Sequence, residues 1–422
     1  MKKVLSVVLA LVMTMALALT FTSCGSSESS DESGFKVGFI CLHDENSTYD
    51  KNFIDAATEA CENLGVEYLI KTNIPEGQEC YEAAAELVDA GCGIVFADSF
   101  GHEDYMIQAA KEFTDVQFCH STGTKAHTEG LDNYHNCFAS IYEGRYLAGV
   151  TAGMKLNEMI ENGDITADEA KIGYVGAYTY AEVISGYTSF FLGARSVCES
   201  ATMDVTFTGS WYDETLEKEG ATKLINEGCV LISQHADSMG APSACENAGV
   251  PNVSYNGSTI ENCPNTFLVS SRINWVPYYE YAIQAAMNGE AIDDDYVGSL
   301  ETGSVVLSDL NENAVAAGTA EKIEEVKAGL IDGSINVFDA STFTVSGKTL
   351  DSYMADVDTD ADYTADTEVI EGCVLISQHA DSMGAPSACE NAGVPNVSYN
   401  GSTIENCPNT FLVSSRINWV PY

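Results

Sequence analysis

Two α/β lobes, each a mostly parallel sheet flanked by helices, are the fold this chain predicts. From Phe35 onward, short apolar runs of strand length alternate with longer helical segments. The alternation pauses after a long helix that ends near Glu158, and it restarts at Lys171. Strand–helix alternation at this spacing implies parallel sheets with helices on both faces. About 320 residues take part, a comfortable length for two domains.

The first series opens with a strand over Lys36–Cys41 and a helix over Asp50–Asn63, whose apolar residues recur at helical spacing. A strand over Val66–Lys71, a helix over Gln78–Ala90 and a strand over Ile94–Ala97 follow. Next come a helix over Tyr105–Glu112, strands over Gln117–His120 and Asn136–Ala139, and a helix over Tyr142–Glu158. The second series places strands at Lys171–Val175, Asp204–Thr208, Cys229–Ser233, Asn252–Tyr255 and Thr266–Ser270. Its helices are Glu182–Cys198, Glu214–Glu227 and Ala241–Ala248, with another at Tyr279–Asn288. In doubly wound sheets, ligands lie beyond the C-terminal strand ends, so functional residues are expected just after the strands.

Residues 227–278 reappear letter for letter as residues 371–422. Architectural repeats resemble one another only loosely, and several are needed to bury a shared core. A single clean copy that stops abruptly reads as a recent duplication or an assembly artefact, leaving a functional protein of about residues 24–350. The acidic, weakly apolar stretch 351–370 reads as a linker before the copy. At the other end, Lys2 and Lys3 precede an apolar run from Val4 to about Phe21, and Thr22-Ser23-Cys24-Gly25 follows. That is a signal peptide over 1–23. Cys24 stands where a lipobox cysteine would be lipidated, although Phe21 occupies the place of the usual leucine. Plain secretion or an uncleaved anchor is the alternative. Residues 24–35 read as a flexible tether.

The net charge is −45, from 18 basic and 63 acidic residues, with no basic cluster. Phosphate-backbone binding needs clustered Lys and Arg, so nucleic acid is a poor partner and a neutral or cationic small ligand a better one. Much of the charge serves solubility. The chain has 14 cysteines without C-x-x-C or zinc spacing. Several lie in strand-like runs, such as Cys41 and Cys119, where a free cysteine acts as a small hydrophobe.

Polar loops with aromatics follow the strands: His43–Asp50, Asp98-Ser99-Phe100-Gly101-His102, Ser121-Thr122-Gly123, Gly209-Ser210-Trp211-Tyr212-Asp213, Gln234–Ser238, Tyr255-Asn256-Gly257 and Ser270–Trp275. Taken singly, each has a plain structural reading. Ser47 or Thr48 can cap a helix, Trp211 can be a core aromatic at a helix entry, and Asn256 before Gly257 can be turn chemistry. Together they suit a planar, hydrogen-bonding, uncharged ligand between two lobes. Aromatic stacking on a base is worth roughly 1–3 kcal/mol, and amides or carboxylates can read ring N–H groups and hydroxyls. No G-x-S-x-G elbow, Walker loop, HExxH or G-x-G-x-x-G fingerprint occurs. The expectation is therefore capture without catalysis, and without cofactor or metal.

At these residues the chain resembles the basic membrane protein family, lipoprotein substrate-binding components of ABC importers similar to purine nucleoside receptor lipoproteins. The likeness spans about 36–345. It is carried by Phe96–Gly101, Ala110–Phe118, Ile141–Gly149, Lys171–Val175, Leu192–Val197, Gly209–Asp213, Asn274-Trp275 and Pro277-Tyr278-Tyr279. It implies a two-lobed, type I periplasmic-binding-protein-like fold with three crossovers. Lobe I would be 36–138 with 274–302, and lobe II 139–273 with 303–345. The resemblance also implies that Tyr49 and Trp211 face the two sides of a purine and that Asn256 holds the ribose. Ser99 and Thr122 would touch base or sugar. Asp44, Phe100, Asp237 and Asn274 complete the expected ligand-binding set. A lysine that the family carries after the last cleft strand is unmatched, with Ile273 in its place, and the acidic first loop is altered to His43–Asp50. Implied partners are a small-molecule ligand, ABC permease and ATPase subunits, and the membrane through a lipid anchor on its extracytoplasmic face. A surface sensor or adhesin on the same fold, or a receptor for another planar heterocycle or a sugar, is the rival reading.

Overall fold

The computed structural model describes residues 34–344 and 348–353, together with the backbone of three strands at 373–377, 396–399 and 411–415. The expected signal peptide 1–23, Cys24, the expected tether before residue 34, the expected linker from 354 and the rest of the copied segment lie outside the described residues.

The first series folds as β1 (Lys36–Ile40), α1 (Thr48–Leu64), β2 (Glu67–Lys71), α2 (Gln78–Asp89), β3 (Cys92–Ala97), α3 (Glu103–Glu112), β4 (Gln117–Ser121), the short α4 (Ala126–Glu129) and β5 (Tyr134–Ala139). The second comprises α5 (Ile141–Asn162), β6 (Lys171–Gly176), α6 (Ala181–Val197), β7 (Thr202–Phe207), α7 (Glu214–Asn226), β8 (Leu231–His235), α8 (Gly240–Ala248), β9 (Asn252–Tyr255) and β10 (Phe267–Ile273). The chain continues through α9 (Val276–Asn288), β11 (Asp295–Gly298), β12 (Val305–Leu307) and α10 (Thr319–Ile331). Strands β13 (Cys373–Ser377), β14 (Asn396–Tyr399) and β15 (Phe411–Ser415) come from the copied segment.

Two sheets form. The first runs β2-β1-β3-β4-β5-β11 and is parallel throughout. The second runs β7-β6-β8-β9-β10-β12, the same order, and differs in that β12 is antiparallel to β10. The chain passes from the first sheet to the second after β5, returns after β10, and leaves again after β11. On its far side, β7 pairs in parallel with β13, and β14 and β15 continue the sheet. The nearer copy of the duplicated text thus supplies the interior strands, and the distant copy lies at the outer edge.

Each sheet has its own apolar core. Val37, Phe39, Ile94 and Phe96 pack with Phe53, Trp275, Tyr278 and Tyr279 around the first. Ile172, Tyr174, Leu231, Val253 and Val269 pack with Tyr187, Phe190 and Phe191 around the second. Helices α5 and α6 meet with almost no side chain between them. A Cβ built on Gly149 would lie 2.0 Å from the Phe190 carbonyl oxygen, and one on Gly193 would lie 2.1 Å from that of Tyr146.

Several boundaries differ from the sequence reading, for physical reasons. Helix α1 begins at Thr48, because Ser47 accepts the Asp50 N–H and caps it. Strand β8 starts at Leu231 rather than Cys229. Gly228 adopts φ +90°, and the Cys229 N–H closes onto the Leu224 carbonyl at 3.0 Å, so Cys229 ends the preceding helix. The same strand runs on through Gln234 and His235, polar residues buried at the end that faces the other lobe.

Candidate functional site

Loops from the C-terminal strand ends of both sheets meet around one cavity. On the first sheet, the chain leaves β1 at Leu42 and His43. The Leu42 N–H donates to Asp98 Oδ1 at 3.1 Å, and the His43 N–H to Asp50 Oδ1 at 2.7 Å. The His43 ring lies 3.3 Å from Asp50 Oδ2. Burial pushes the Asp50 carboxyl up, but hydrogen bonding from His43 and Ser47 outweighs it, and the group ends below its usual range. Tyr49, in the first turn of α1, donates its hydroxyl to the Asp98 carbonyl at 2.6 Å. That bond aims the ring along the cavity wall, against Phe53 at 4.7 Å. Burial, and then the nearby Asp50, raise the Asp98 carboxyl, whose Oδ2 has no partner.

Ser99 and Phe100 follow Asp98, with the Ser99 hydroxyl donating to Glu76 at 2.5 Å. Thr122 follows β4 at φ +68°, a left-handed conformation that is costly for a β-branched residue. Its neighbour Gly123 is packed too closely to carry a side chain. A Cβ at Gly123 would sit 2.3 Å from His120 Nδ1 and from Asn136 Nδ2. Glu103 Oε1 accepts the Thr124 and Lys125 N–H groups at 2.8 Å each. The Thr122 hydroxyl is buried without a hydrogen-bond partner.

On the second sheet, Trp211 rides on a loop pinned at both ends. The Thr208 hydroxyl donates to the Ser210 carbonyl at 2.8 Å, and Asp213 caps α7 by accepting the Thr215 and Leu216 N–H groups. The indole meets Tyr178 edge-on at 5.0 Å and Tyr180 at 5.7 Å. His235, the last residue of β8, lies against the Tyr255 ring at 4.2 Å. Its Nε2 is 3.3 Å from Glu182 Oε1, which also accepts the Tyr255 hydroxyl at 3.3 Å. Burial lowers the His235 imidazole against the opposing pull of Glu182. Asp237 donates its N–H to the Trp211 carbonyl at 2.9 Å. Its carboxyl is pushed well up by burial first, and then by Glu217, Asp50 and Glu182.

The two halves touch around this cavity. The Thr48 N–H and hydroxyl both donate to the Asp237 carbonyl, at 3.1 and 3.0 Å. Asn52 Nδ2 donates to the Ile273 carbonyl at 2.6 Å. The His43 ring lies 5.0 Å from Tyr212, and Phe100 lies 5.2 Å from Tyr180.

Of the residues the sequence singled out, Tyr49, Ser99, Phe100, Thr122, Trp211 and Asp237 line this one cavity. Asp44, Asn256 and Asn274 are not among its lining residues. Asp44 Oδ1 accepts the Asn46 N–H at 3.0 Å in a local turn. Asn274 Oδ1 accepts the Val276 N–H at 3.3 Å, and its Nδ2 donates to the Gly303 carbonyl. Asn256 is buried at φ +59°, with its N–H on the Ser271 carbonyl at 2.8 Å and its Nδ2 unpartnered. Leu42, His43, Asp50, Glu182, His235 and Tyr255 complete the lining. His43, Asp50, His235 and Tyr255 lie inside or beside the polar stretches already noted. For Glu182, the available signal was the tyrosine pair Tyr178 and Tyr180 just ahead of it in the loop after β6. The cavity thus offers aromatic rings from both lobes, three carboxylates and an unpartnered hydroxyl, and among the described residues no lysine or arginine lines it. Among the described residues, no group of three or more His, Cys, Asp or Glu side chains could hold a metal ion.

Residues 39–337 match the family model described as ABC transporter substrate-binding protein PnrA-like. A purine-binding protein of Brucella abortus (strain 2308) is 30% identical over 331 residues, 77% of this chain and 89% of that one. A putative ABC transporter glucose-binding protein of Haloferax volcanii is 29% identical, over 68% of this chain and 69% of that one. Among solved structures, an ABC transporter solute-binding protein of Aeropyrum pernix K1 superposes with a TM-score of 0.61 at 17% identity, covering 72% of this chain and 92% of that one. Another, from Conexibacter woesei, does so with a TM-score of 0.59 at 18% identity, covering 72% and 98%. At such identities the likeness is one of fold, the two-lobed fold of periplasmic solute-binding proteins.

Proposed function

We propose, from the premise that this chain belongs to the PnrA-like family of ABC transporter substrate-binding proteins, that its ligand is a purine nucleoside clamped between the lobes. Members of the family work outside the cytoplasm as the capture component of an importer. The observation that carries the ligand reading is the placement of Tyr49 from one sheet and Trp211 from the other on the wall of a single cavity. Two aromatic rings facing one space suit a flat heterocycle, because each stacked face contributes roughly 1–3 kcal/mol. The purine-binding Brucella relative supports the same ligand class.

Capture works by hinge closure. Residues 36–138 with 274–302 move as one lobe, and 139–273 with 303–345 as the other. The Thr48–Asp237 bonds and the His43–Tyr212 and Phe100–Tyr180 contacts belong to the closed form. A ligand touching both lobes binds that form better and shifts the population toward it. Cys24 carries the lipid that keeps the receptor at the membrane surface, and the closed receptor docks on a permease driven by an ATPase.

The test is calorimetry of the purified, refolded protein against inosine, guanosine, adenosine, the free bases and glucose. Micromolar or tighter binding of a nucleoside is expected. Binding of glucose with silence toward every purine would replace this reading with a sugar receptor.

A further inference from the structure

The hydrogen-bonding groups around the cavity are strongly one-sided. Asp50, Glu182 and Asp237 line it, and among the described residues no lysine or arginine does. The buried cation of this region, Arg145, does not line the cavity, and both of its terminal nitrogens are engaged elsewhere. Its guanidinium donates to the Ser254 carbonyl, the Ser271 and Ser233 hydroxyls and the Tyr174 hydroxyl. It lies behind the Tyr255 ring, 5.4 Å from the centroid, so that ring stands between it and a ligand in the cavity.

The three carboxylates are not equally engaged. Asp50 uses one oxygen on the His43 N–H and the other on the His43 ring. Glu182 Oε1 is taken by His235 and Tyr255. Asp237, only 6% exposed, has both main-chain groups committed, the N–H to Trp211 and the carbonyl to Thr48. Among the described residues, no donor bonds to its carboxylate. A second polar group nearby is also open, the Thr122 hydroxyl, 8% exposed and unpartnered.

We propose that Asp237 selects ligands by their hydrogen-bond donors, taking ring N–H and exocyclic amine groups of a purine on its free carboxylate, and that the site rejects anionic ligands such as nucleotides. An ionised carboxylate is acceptor-only, with two oxygens that match a pair of adjacent N–H groups. Thr122 complements it, since its hydroxyl can donate to a ring nitrogen or carbonyl oxygen. A phosphate brought to this cavity meets Asp50, Glu182 and Asp237 with no lysine or arginine among the described lining residues to offset them. Burial and neighbouring acids push the Asp237 carboxyl up, and an N–H donor is the partner that favours its ionised form. This inference rests on the purine reading above.

The experiment is a titration series on the full chain with guanosine (ring N–H and amine), inosine (ring N–H alone), purine riboside (no base N–H) and guanosine monophosphate. Affinity should fall in that order across the three nucleosides, by roughly tenfold or more between the first and the third. The monophosphate should show no binding at one hundred times the guanosine Kd. Asp237→Asn keeps the backbone bonds to Thr48 and Trp211 and should shrink the guanosine-to-purine-riboside ratio to near unity. Asp237→Ser gives a second variant of smaller volume, and an unchanged melting curve certifies either one as folded. Equal affinities across the nucleosides, tight binding of the monophosphate, or an undiminished ratio in the folded variants would each overturn the donor rule while leaving the purine reading intact. Silence toward all four ligands would remove both.

Discussion

Replacing Trp211 by alanine tests the stacking contact proposed for ligand capture. The indole is half-buried, lines the cavity and is braced by Tyr178 and Tyr180 at 5.0 and 5.7 Å. Truncation removes one stacking face, worth about 1–3 kcal/mol, which corresponds to a Kd roughly five- to 150-fold weaker. The backbone stays in place, because the loop is pinned by Thr208 and Asp213 and the Asp237 N–H bonds to the Trp211 carbonyl, which alanine retains. Losing two edge-to-face contacts costs about 1–2 kcal/mol of fold stability. Affinity is therefore best read by calorimetry at a temperature where both proteins are folded. Trp211→Phe keeps a ring and should stay within about tenfold of the parent. Its ligand-dependent fluorescence change should shrink, since of the other two tryptophans Trp275 is 1% exposed and does not line the cavity, and Trp419 lies outside the described residues. An alanine variant that binds within twofold of the parent would refute the stacking argument.

Other consequences of the structure are open to measurement. Gly193→Ala places a methyl 2.1 Å from the Tyr146 carbonyl oxygen, so α5 and α6 must separate. A loss of about 1–3 kcal/mol is expected in denaturant unfolding, and an unchanged midpoint would contradict the close packing. Arg145→Met leaves buried groups on Ser233, Ser254, Ser271 and Tyr174 without their donor, at a cost of about 3 kcal/mol in the same assay. Burial pushes the Glu217 carboxyl up from 4.5 to about 7. A raised folded value means that the stabilisation is complete below the unfolded value near 4.5 and is lost as pH rises through about 7. Glu217→Gln should therefore stabilise the protein at pH 8 relative to pH 4, by up to about 3 kcal/mol, and a pH-independent difference in melting would show the burial argument to be mistaken. Deleting 351–422 removes the strand beside β7 and should leave nucleoside affinity unchanged. All the cavity-lining residues precede Asn256, and β2, the counterpart of β7, already serves as a sheet edge.

Much of the fold was legible because its signals are local. Parallel strands buried on both faces read as short apolar runs, as in Ile94–Ala97, and the helices between them show their own period. Strands β11 and β12 carried no such signal. They are four and three residues long, and β11 exposes Val297 at 59%. What makes them strands is pairing with β5 and β10, which are distant in sequence.

The same division holds at the site. The order of residues alone determined the two series of strands and helices, the loops after them, and the concentration of aromatics and polar groups on those loops, since each depends on near neighbours along the chain. Tertiary structure decided which members of a loop share the cavity. Tyr49 and Trp211 are 162 positions apart and meet only because two sheets of the same strand order present their C-terminal ends to each other. Asp237 lines the cavity and Asn256 does not, a distinction made by backbone conformation and by the bonds that Thr48 and Ser271 make across the fold. Side-chain direction at a strand end is set by what lies opposite, and in this chain that is a segment hundreds of residues removed or a lobe of its own.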